Sequence, residues 1–196
     1  MTLRRFWVML ADSHGQVINR SQLAGSMGVS GTTLQSSLDI LTQTYMLRPL
    51  LPWYVNMKKC QVKSPKIYFS DTGLMLHLLG IHTREELPSH PVAGAFWEEF
   101  AIEQIIRALP LRTPYFWSTY SGAEIDLLIL ENGRRIGIEC KLFEAPKPTK
   151  SMYVAFEDLA LDSIYVIYPG REWSPLHKRI EVFSLPLFIG ECFSRT

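Results

Sequence analysis

Apolar and polar positions along the chain switch between helical and strand spacing in a definite order. Leu3–Asp12 has the spacing of a first helix, and Ser21–Met27 that of a short second one, with Gly28-Val29 as the turn. Ser30 is placed to cap a third helix running to about Met46, whose buried stripe is Leu34, Leu38, Leu41 and Tyr45. Leu47–Tyr54 and Gln61–Ser70 read as two strands around a turn at 56–59, and Pro49, Pro52 and Pro65 confine them to sheet edges. Asp71 suits the N-cap of a helix to about Leu79, because its carboxylate can accept from the first free backbone amides. Thr83–Pro91 is polar, holds two prolines and reads as a linker.

A longer helix, Val92–Leu109, follows. Glu99, Glu103 and Arg107 form its polar stripe, with Glu103 and Arg107 an i, i+4 pair. Glu98 instead shares a direction with Ala95, Ile102, Ile105 and Leu109, in the middle of an apolar face. A strand is expected at Tyr115–Tyr120, a turn at Ser121-Gly122, and then two strands joined at Asn132-Gly133. Asn-Gly between apolar runs is a strong hairpin signal, because a type I′ turn needs φ > 0 at both central residues. A helix from Thr149 to about Leu161, a strand at Ser163–Tyr168, a strand at Arg179–Phe183 and a helical or irregular Leu185–Phe193 complete the chain.

The predicted fold class is therefore α/β in two parts. Residues 1–82, three helices and a β-ribbon, follow the winged helix-turn-helix plan. Residues 92–196, with 83–91 as linker, form an α/β sandwich with a central mixed sheet. Bulk composition (47% hydrophobic and 20% charged over 196 residues) suits a chain that buries a core. Net charge is only +1, but residues 1–80 hold eight Lys/Arg against three Asp/Glu, and 81–196 hold twelve against sixteen. The basic front half is the better candidate for a phosphate backbone. Three scattered cysteines without C-x-x-C favour a reducing cytoplasm. The apolar run after Arg4-Arg5 stops at Asp12, too short for a signal peptide, and no run is long enough to span a membrane. The chain has no P-loop, so ATP hydrolysis by that route is not expected of it.

Chemistry concentrates in the hairpin. Counted outward from Asn132-Gly133, Asp126 faces Glu139 in a non-hydrogen-bonded pair, and Glu124 faces Lys141. Directly opposed carboxylates cost stability, so a cation between them is expected. A third carboxylate, Glu98, on a buried stripe needs a pair, a hydrogen bond or a metal. Lys141 can serve the site and also make a cross-strand ion pair with Glu124, which is itself placed to support the site from behind. In the first part, the exposed face of the third helix offers Thr32, Thr33 and Gln35 for nucleic acid but no Arg or Lys, so guanine readout is not expected. Lys58, Lys59, Lys63 and Lys66 on the ribbon are candidates for phosphates, giving DNA binding of low sequence specificity.

Helix Glu98, strand Asp126 and then Glu139-x-Lys141 on the next strand resemble the PD-(D/E)XK nuclease superfamily. Lys63–Leu74, Gly94–Glu98, Gly122–Asp126 and Ile138–Lys141 together resemble the C-terminal part of bacterial ATP-binding proteins, in which an AAA-type ATPase module precedes a winged helix and a domain of unknown function. The resemblance implies a nuclease-like fold and a catalytic set of Glu98, Asp126, Glu139 and Lys141. It implies Mg²⁺ or Mn²⁺ held by Asp126 and Glu139, with Glu98 as a further ligand. Lys141 would position the nucleophile or stabilise charge on the phosphate in a phosphodiester hydrolysis. The implied partners are DNA and an ATPase module absent from this chain. The alternative is a non-catalytic DNA-binding or regulatory module of such an ATPase.

Overall fold

The structure, a computed structural model, describes residues 3–54, 61–109, 113–142 and 146–194, the last four as backbone. Among the described residues the chain is mixed α/β, with seven α-helices and eight β-strands. It folds as two compact units, Met1–Leu50 with Ser64–Glu99, and Leu51–Lys63 with Phe100–Thr196. The expected division at 83–91 is thus not where the units part. Leu51–Lys63, expected as part of the first domain's ribbon, folds with the second unit.

In the first unit α1 (Leu3–Asp12), α2 (Arg20–Met27) and α3 (Gly31–Gln43) form as the periodicity predicts. Asn19 caps α2 through its side chain, and Gly28, at φ 65°, closes it in the left-handed conformation that glycine adopts without strain. The Ser30 hydroxyl accepts from the Thr33 amide at 3.1 Å and caps α3. Leu34 and Leu38 enter the core with Phe6, Leu10, Leu23 and Met27, and Leu41 packs against it. Tyr45 departs from the expected stripe: α3 ends at Gln43, Tyr45 turns to φ 58°, and its side chain is exposed.

Residues 47–50 of β1 (Leu47–Pro52) pair antiparallel with β2 (Lys66–Phe69). The last two residues, Leu51 and Pro52, pair instead with β3 (Tyr115–Ser118) of the second unit's sheet. Each half of β1 is thus paired on one side only, which is why its prolines, lacking a donor, are tolerated. β2 is shorter than expected and starts after Pro65. The turn expected at 56–59 lies outside the described residues. Asp71 caps α4 (Thr72–Leu78) as predicted, accepting from the Gly73 and Leu74 amides. A single 3-10 turn, Leu87–Ser89, lies in the segment read as a linker.

The second unit is built on a mixed sheet. Its order is β3, β4 (Glu124–Glu131), β5 (Arg134–Cys140), β6 (Ser163–Tyr168), β8 (Ile180–Ser184) and β7 (Trp173–His177). β3, β4 and β5 are antiparallel neighbours, β5–β6 and β6–β8 are parallel, and β7 closes the edge antiparallel. The turn is as expected, with Asn132 at φ 50° and Gly133 at φ 76°. β7 was not anticipated, because Pro175 and its polar, exposed residues mask the strand pattern. One face is covered by α6 (Lys150–Asp158), whose Met152 and Ala155 pack with Trp117, Ile125, Ile164 and Val166. On the other, Phe188 of α7 (Leu185–Ser194) meets the rings of Tyr165 and Phe183. That is the sandwich the element order predicts.

Two substitutions test this packing. A Cβ at Gly137 would stand 3.0 Å from a Leu161 methyl and 3.2 Å from an Ile125 methyl, between sheet and α6. Gly137→Ala is expected to destabilise by about 1–3 kcal/mol in urea titration. Gly94→Ala, in open space on a helix, is expected to stabilise slightly.

His14 probes the first unit. It is 3% exposed, its Nδ1 bonds the Ala11 carbonyl, and its Nε2 has no hydrogen-bond partner among the described residues. Burial pushes its pKa below the ordinary 6.5, against the opposing pull of the Ala11 carbonyl, Glu98 and Asp12. The unfolded chain therefore binds the proton first. The stability from neutral His14 is complete above about pH 6.5 and is lost as pH falls below it. Urea midpoints at pH 7.5 and 5.5 are expected to differ more for the wild type than for His14→Gln.

Candidate functional site

The long helix expected at 92–109 is α5 (Ala93–Ala108). Its polar pattern is the reverse of the expectation. Glu99 and Glu103 are buried at 0% and 2%, whereas the Glu98 side chain is 20% exposed. Glu99 is retained inside because it accepts the backbone amide of Phe69. Glu103 keeps its i, i+4 partner, Arg107, at 3.5 Å. Glu98 lies in the first unit. There its Oε1 takes both the Lys66 ammonium at 2.9 Å and the Tyr68 hydroxyl at 2.7 Å.

The other three predicted residues meet in the second unit. The β4–β5 register runs from Glu131 opposite Arg134 to Leu127 opposite Ile138, as the turn dictates. It stops one pair short of Asp126 and Glu139. Between Ile125 and Leu128, β4 carries one residue more than β3 opposite, a bulge at Asp126-Leu127. A bulge bends its strand and re-aims a side chain. Here the Asp126 carboxylate turns to accept the Cys140 amide at 2.8 Å. A regular ladder in this register would give that amide to Ile125. β5 stays with β6 instead, the Lys141 amide bonding the Ile167 carbonyl at 2.9 Å. The two strands part at the carboxylates.

The repulsion that led to the expectation of a cation is thus handled partly inside the chain. Asp126, 5% exposed, takes a backbone N–H, and Glu139, 3% exposed, takes the Lys141 ammonium at 2.7 Å. Lys141 pairs along its own strand and not across to Glu124. Burial favours its neutral form, but Glu139 and then Asp126 outweigh that and hold the ammonium above its ordinary range.

Glu124, expected as a cross-strand neighbour of Lys141 and at most a supporting group of the site, has a carboxylate oxygen within 4.8 Å of one of Asp126. The E-x-D spacing on one strand was the available signal. The start of β4 is clamped by Ser151 in the first turn of α6. Its hydroxyl accepts from the Glu124 amide at 2.7 Å and donates to the Glu124 carbonyl at 2.9 Å. Thr149 caps that helix, so its N-terminal amides and their partial positive charge lie at the acidic end of the sheet. No sequence pattern announced this clamp.

The nucleic-acid candidates fare unevenly. Thr32 and Thr33 hydroxyls bond Ser30, and Gln35 donates to Asp39 at 2.7 Å, so the helix face spends its polar groups locally and carries an acid. Lys66, expected on phosphate, is 4% exposed and ion-paired with Glu98. Lys63 is exposed and belongs to the second unit. Lys58 and Lys59 lie outside the described residues. No helix among the described residues is long and apolar enough to cross a membrane.

If the Lys141–Glu139 pair balances the site, Lys141→Met should cost about 1–3 kcal/mol at pH 7, because buried Glu139 loses this partner. A raised lysine pKa contributes stability that is complete below the unfolded value of 10.5 and is lost as pH rises through the folded one. The stability gap between wild type and variant should be constant from pH 7 to 9 and narrow above pH 10.5 in denaturant titrations.

Comparison with known proteins adds likeness but not activity. Residues 1–85 match a domain of unknown function, DUF8612, and residues 93–188 match another, DUF4143. Two curated proteins, Mb2031c of Mycobacterium bovis and Rv2008c of Mycobacterium tuberculosis, both described as uncharacterized, are 43% identical over 175 residues. The match covers 89% of this chain and 40% of each relative, so the chain spans about two fifths of their length. No solved structure matches it. The chain thus joins a DUF8612 match to a DUF4143 match in an arrangement similar to part of longer mycobacterial proteins.

Proposed function

We propose that the second unit is a PD-(D/E)XK-type, metal-dependent hydrolase of phosphodiester bonds in DNA, and that the first is a winged-helix domain. The observation that most supports this is the meeting of Asp126, Glu139 and a charged Lys141 where β4 leaves β5. The donor set suits Mg²⁺ or Mn²⁺, which take hard oxygen ligands and leave positions for water and phosphate. Oxygens of Asp126 and Glu124 within 4.8 Å are close to the ~4.2 Å that two ligands on opposite sides of such an ion span. Asp126 and Glu139 would hold the ion, with Glu124 beside them. Glu98 joins the set on the resemblance, and its Oε2 is not used by the Lys66 pair. A bound divalent cation supplies Lewis acidity toward a phosphate oxygen. Lys141 contributes a fixed positive charge that can turn from Glu139 to the charge developing on the phosphate. The Ser151 clamp and the Cys140 amide keep Glu124 and Asp126 in place. We infer a reducing cytoplasm as the setting, in keeping with the buried free thiol of Cys140, and an AAA-type ATPase module as a partner.

A second reading, a non-catalytic DNA-binding or regulatory module of that ATPase, is favoured by the Lys141–Glu139 pair, which neutralises Glu139 without a metal. Cleavage separates the two. Purified protein with Mn²⁺ or Mg²⁺ is expected to nick or cut DNA and to stop with a chelator. Asp126→Ala, Glu139→Ala and Lys141→Ala are each expected to lower the rate about a hundredfold or more. Mn²⁺ should raise the melting temperature of the wild type and not that of Asp126→Ala. No cleavage of single-stranded, duplex or branched DNA with either ion would decide for the second reading.

A further inference from the structure

Of the lysines that the sequence assigned to DNA, Lys63 belongs to the second unit, next to chain that pairs along β3. The chain runs out parallel to β3, with Leu51 opposite Tyr115, Pro52 opposite Phe116, and the Trp53 amide on the Phe116 carbonyl at 2.7 Å. It returns antiparallel, with Gln61 bridging Thr119 and the Val62 amide on the Ser118 carbonyl at 3.1 Å. Tyr54 and Lys63 are therefore brought to the end of β3, where the 119–122 turn begins. Ser118 pairs with Glu124, so this end of β3 is one strand from the carboxylates of β4.

Tyr54 is 50% exposed and Tyr120, within the turn, is 72% exposed. Partial cover from solvent, and then the charge of Tyr120, push the Tyr54 phenol up from its ordinary value. Trp53 beside Tyr54 packs edge-on against Tyr115, with ring centroids 4.9 Å apart. The turn is tied by the Gly122 amide on the Thr119 carbonyl at 3.0 Å and by the Thr119 hydroxyl on the Ala123 amide and carbonyl. A single exposed tyrosine needs no explanation. Two of them close to the same end of β3, with an exposed lysine and no Asp or Glu in the sequence of 51–63 or 113–123, make an aromatic flank whose own segments carry no acid. α3 offers nothing comparable, since its polar face is satisfied locally and carries Asp39.

We propose that this flank is a stacking platform for single-stranded DNA, with unpaired bases on Tyr54 and Tyr120 and Lys63 on the backbone. Every base has a π-face, so such a platform is tolerant of sequence, and it selects unpaired strands because duplex bases present no free face. Its position beside Glu124 and Asp126 makes it the substrate-holding surface of the proposed nuclease site. That placement rests on the nuclease reading; the binding does not.

The test measures binding of the full chain to labelled oligothymidylate, and to a duplex of equal length, by fluorescence anisotropy in chelator. The wild type is expected to prefer the single strand. Tyr54→Ala and Tyr120→Ala are each expected to weaken that binding about tenfold, with duplex binding unchanged. Tyr54→Phe and Tyr120→Phe should retain it, since rings and not hydroxyls stack. The exposed positions should leave the melting temperature unchanged, which excludes misfolding. Equal affinity of the alanine variants and wild type, no single-strand binding, or a duplex preference would overturn the platform even if metal-dependent cleavage is found. Tyrosine-dependent binding without any cleavage would uphold it and refute the nuclease reading.

Discussion

The hydrogen bond from the Cys140 amide to the Asp126 carboxylate sets the geometry of the second unit's acidic end. It substitutes a side-chain oxygen for a backbone carbonyl at the point where the β4–β5 ladder would continue. A buried amide must be paired, so strands cannot separate here unless some group takes the N–H. Asp126 takes it, and the bulge beside it supplies the extra residue that turns its side chain toward β5. β5 then continues along β6, which carries Glu139 and Lys141 to the same opening. Asp126 thus has a structural duty as well as its proposed chemical one, and replacing it should change both.

Much of this was legible from local chemistry. Caps at Ser30 and Asp71 were readable because short polar side chains satisfy free helix amides wherever they stand. Asn132-Gly133 fixed the hairpin register down to Leu127 and Ile138. That same register failed at Asp126, because a bulge depends on what lies across the neighbouring strand. Periodicity placed Glu98 on an apolar face but misjudged Glu99 and Glu103. Helical spacing shows which residues share a face, not how many faces are covered, and the Phe69 amide that holds Glu99 inside comes from thirty residues away. The lysines were treated alike, yet Lys66 is buried on Glu98 while Lys63 is exposed on the other unit. That difference arises from where the backbone pairs, which charge patterns do not encode.

The site that results is balanced before any ligand enters. Carboxylates that would repel are held by an amide, an ammonium and a clamped strand, and each of those contacts leaves something to offer. Asp126 has an oxygen near Glu124, and Lys141 has a charge that Glu139 alone need not consume. Such an arrangement can exist as scaffold or as catalyst, and a hard cation distinguishes the two. DNA held on Tyr54 and Tyr120 would approach from the β3 side, the flank whose own segments carry no acid.

The most direct test is anomalous diffraction from a crystal of the chain soaked in millimolar Mn²⁺. The account predicts one manganese peak within coordination distance of Asp126 and of Glu139 or Glu124, with the Lys141–Glu139 contact lengthened. Density showing Asp126 still on the Cys140 amide, Lys141 still on Glu139 and no manganese between them would contradict it.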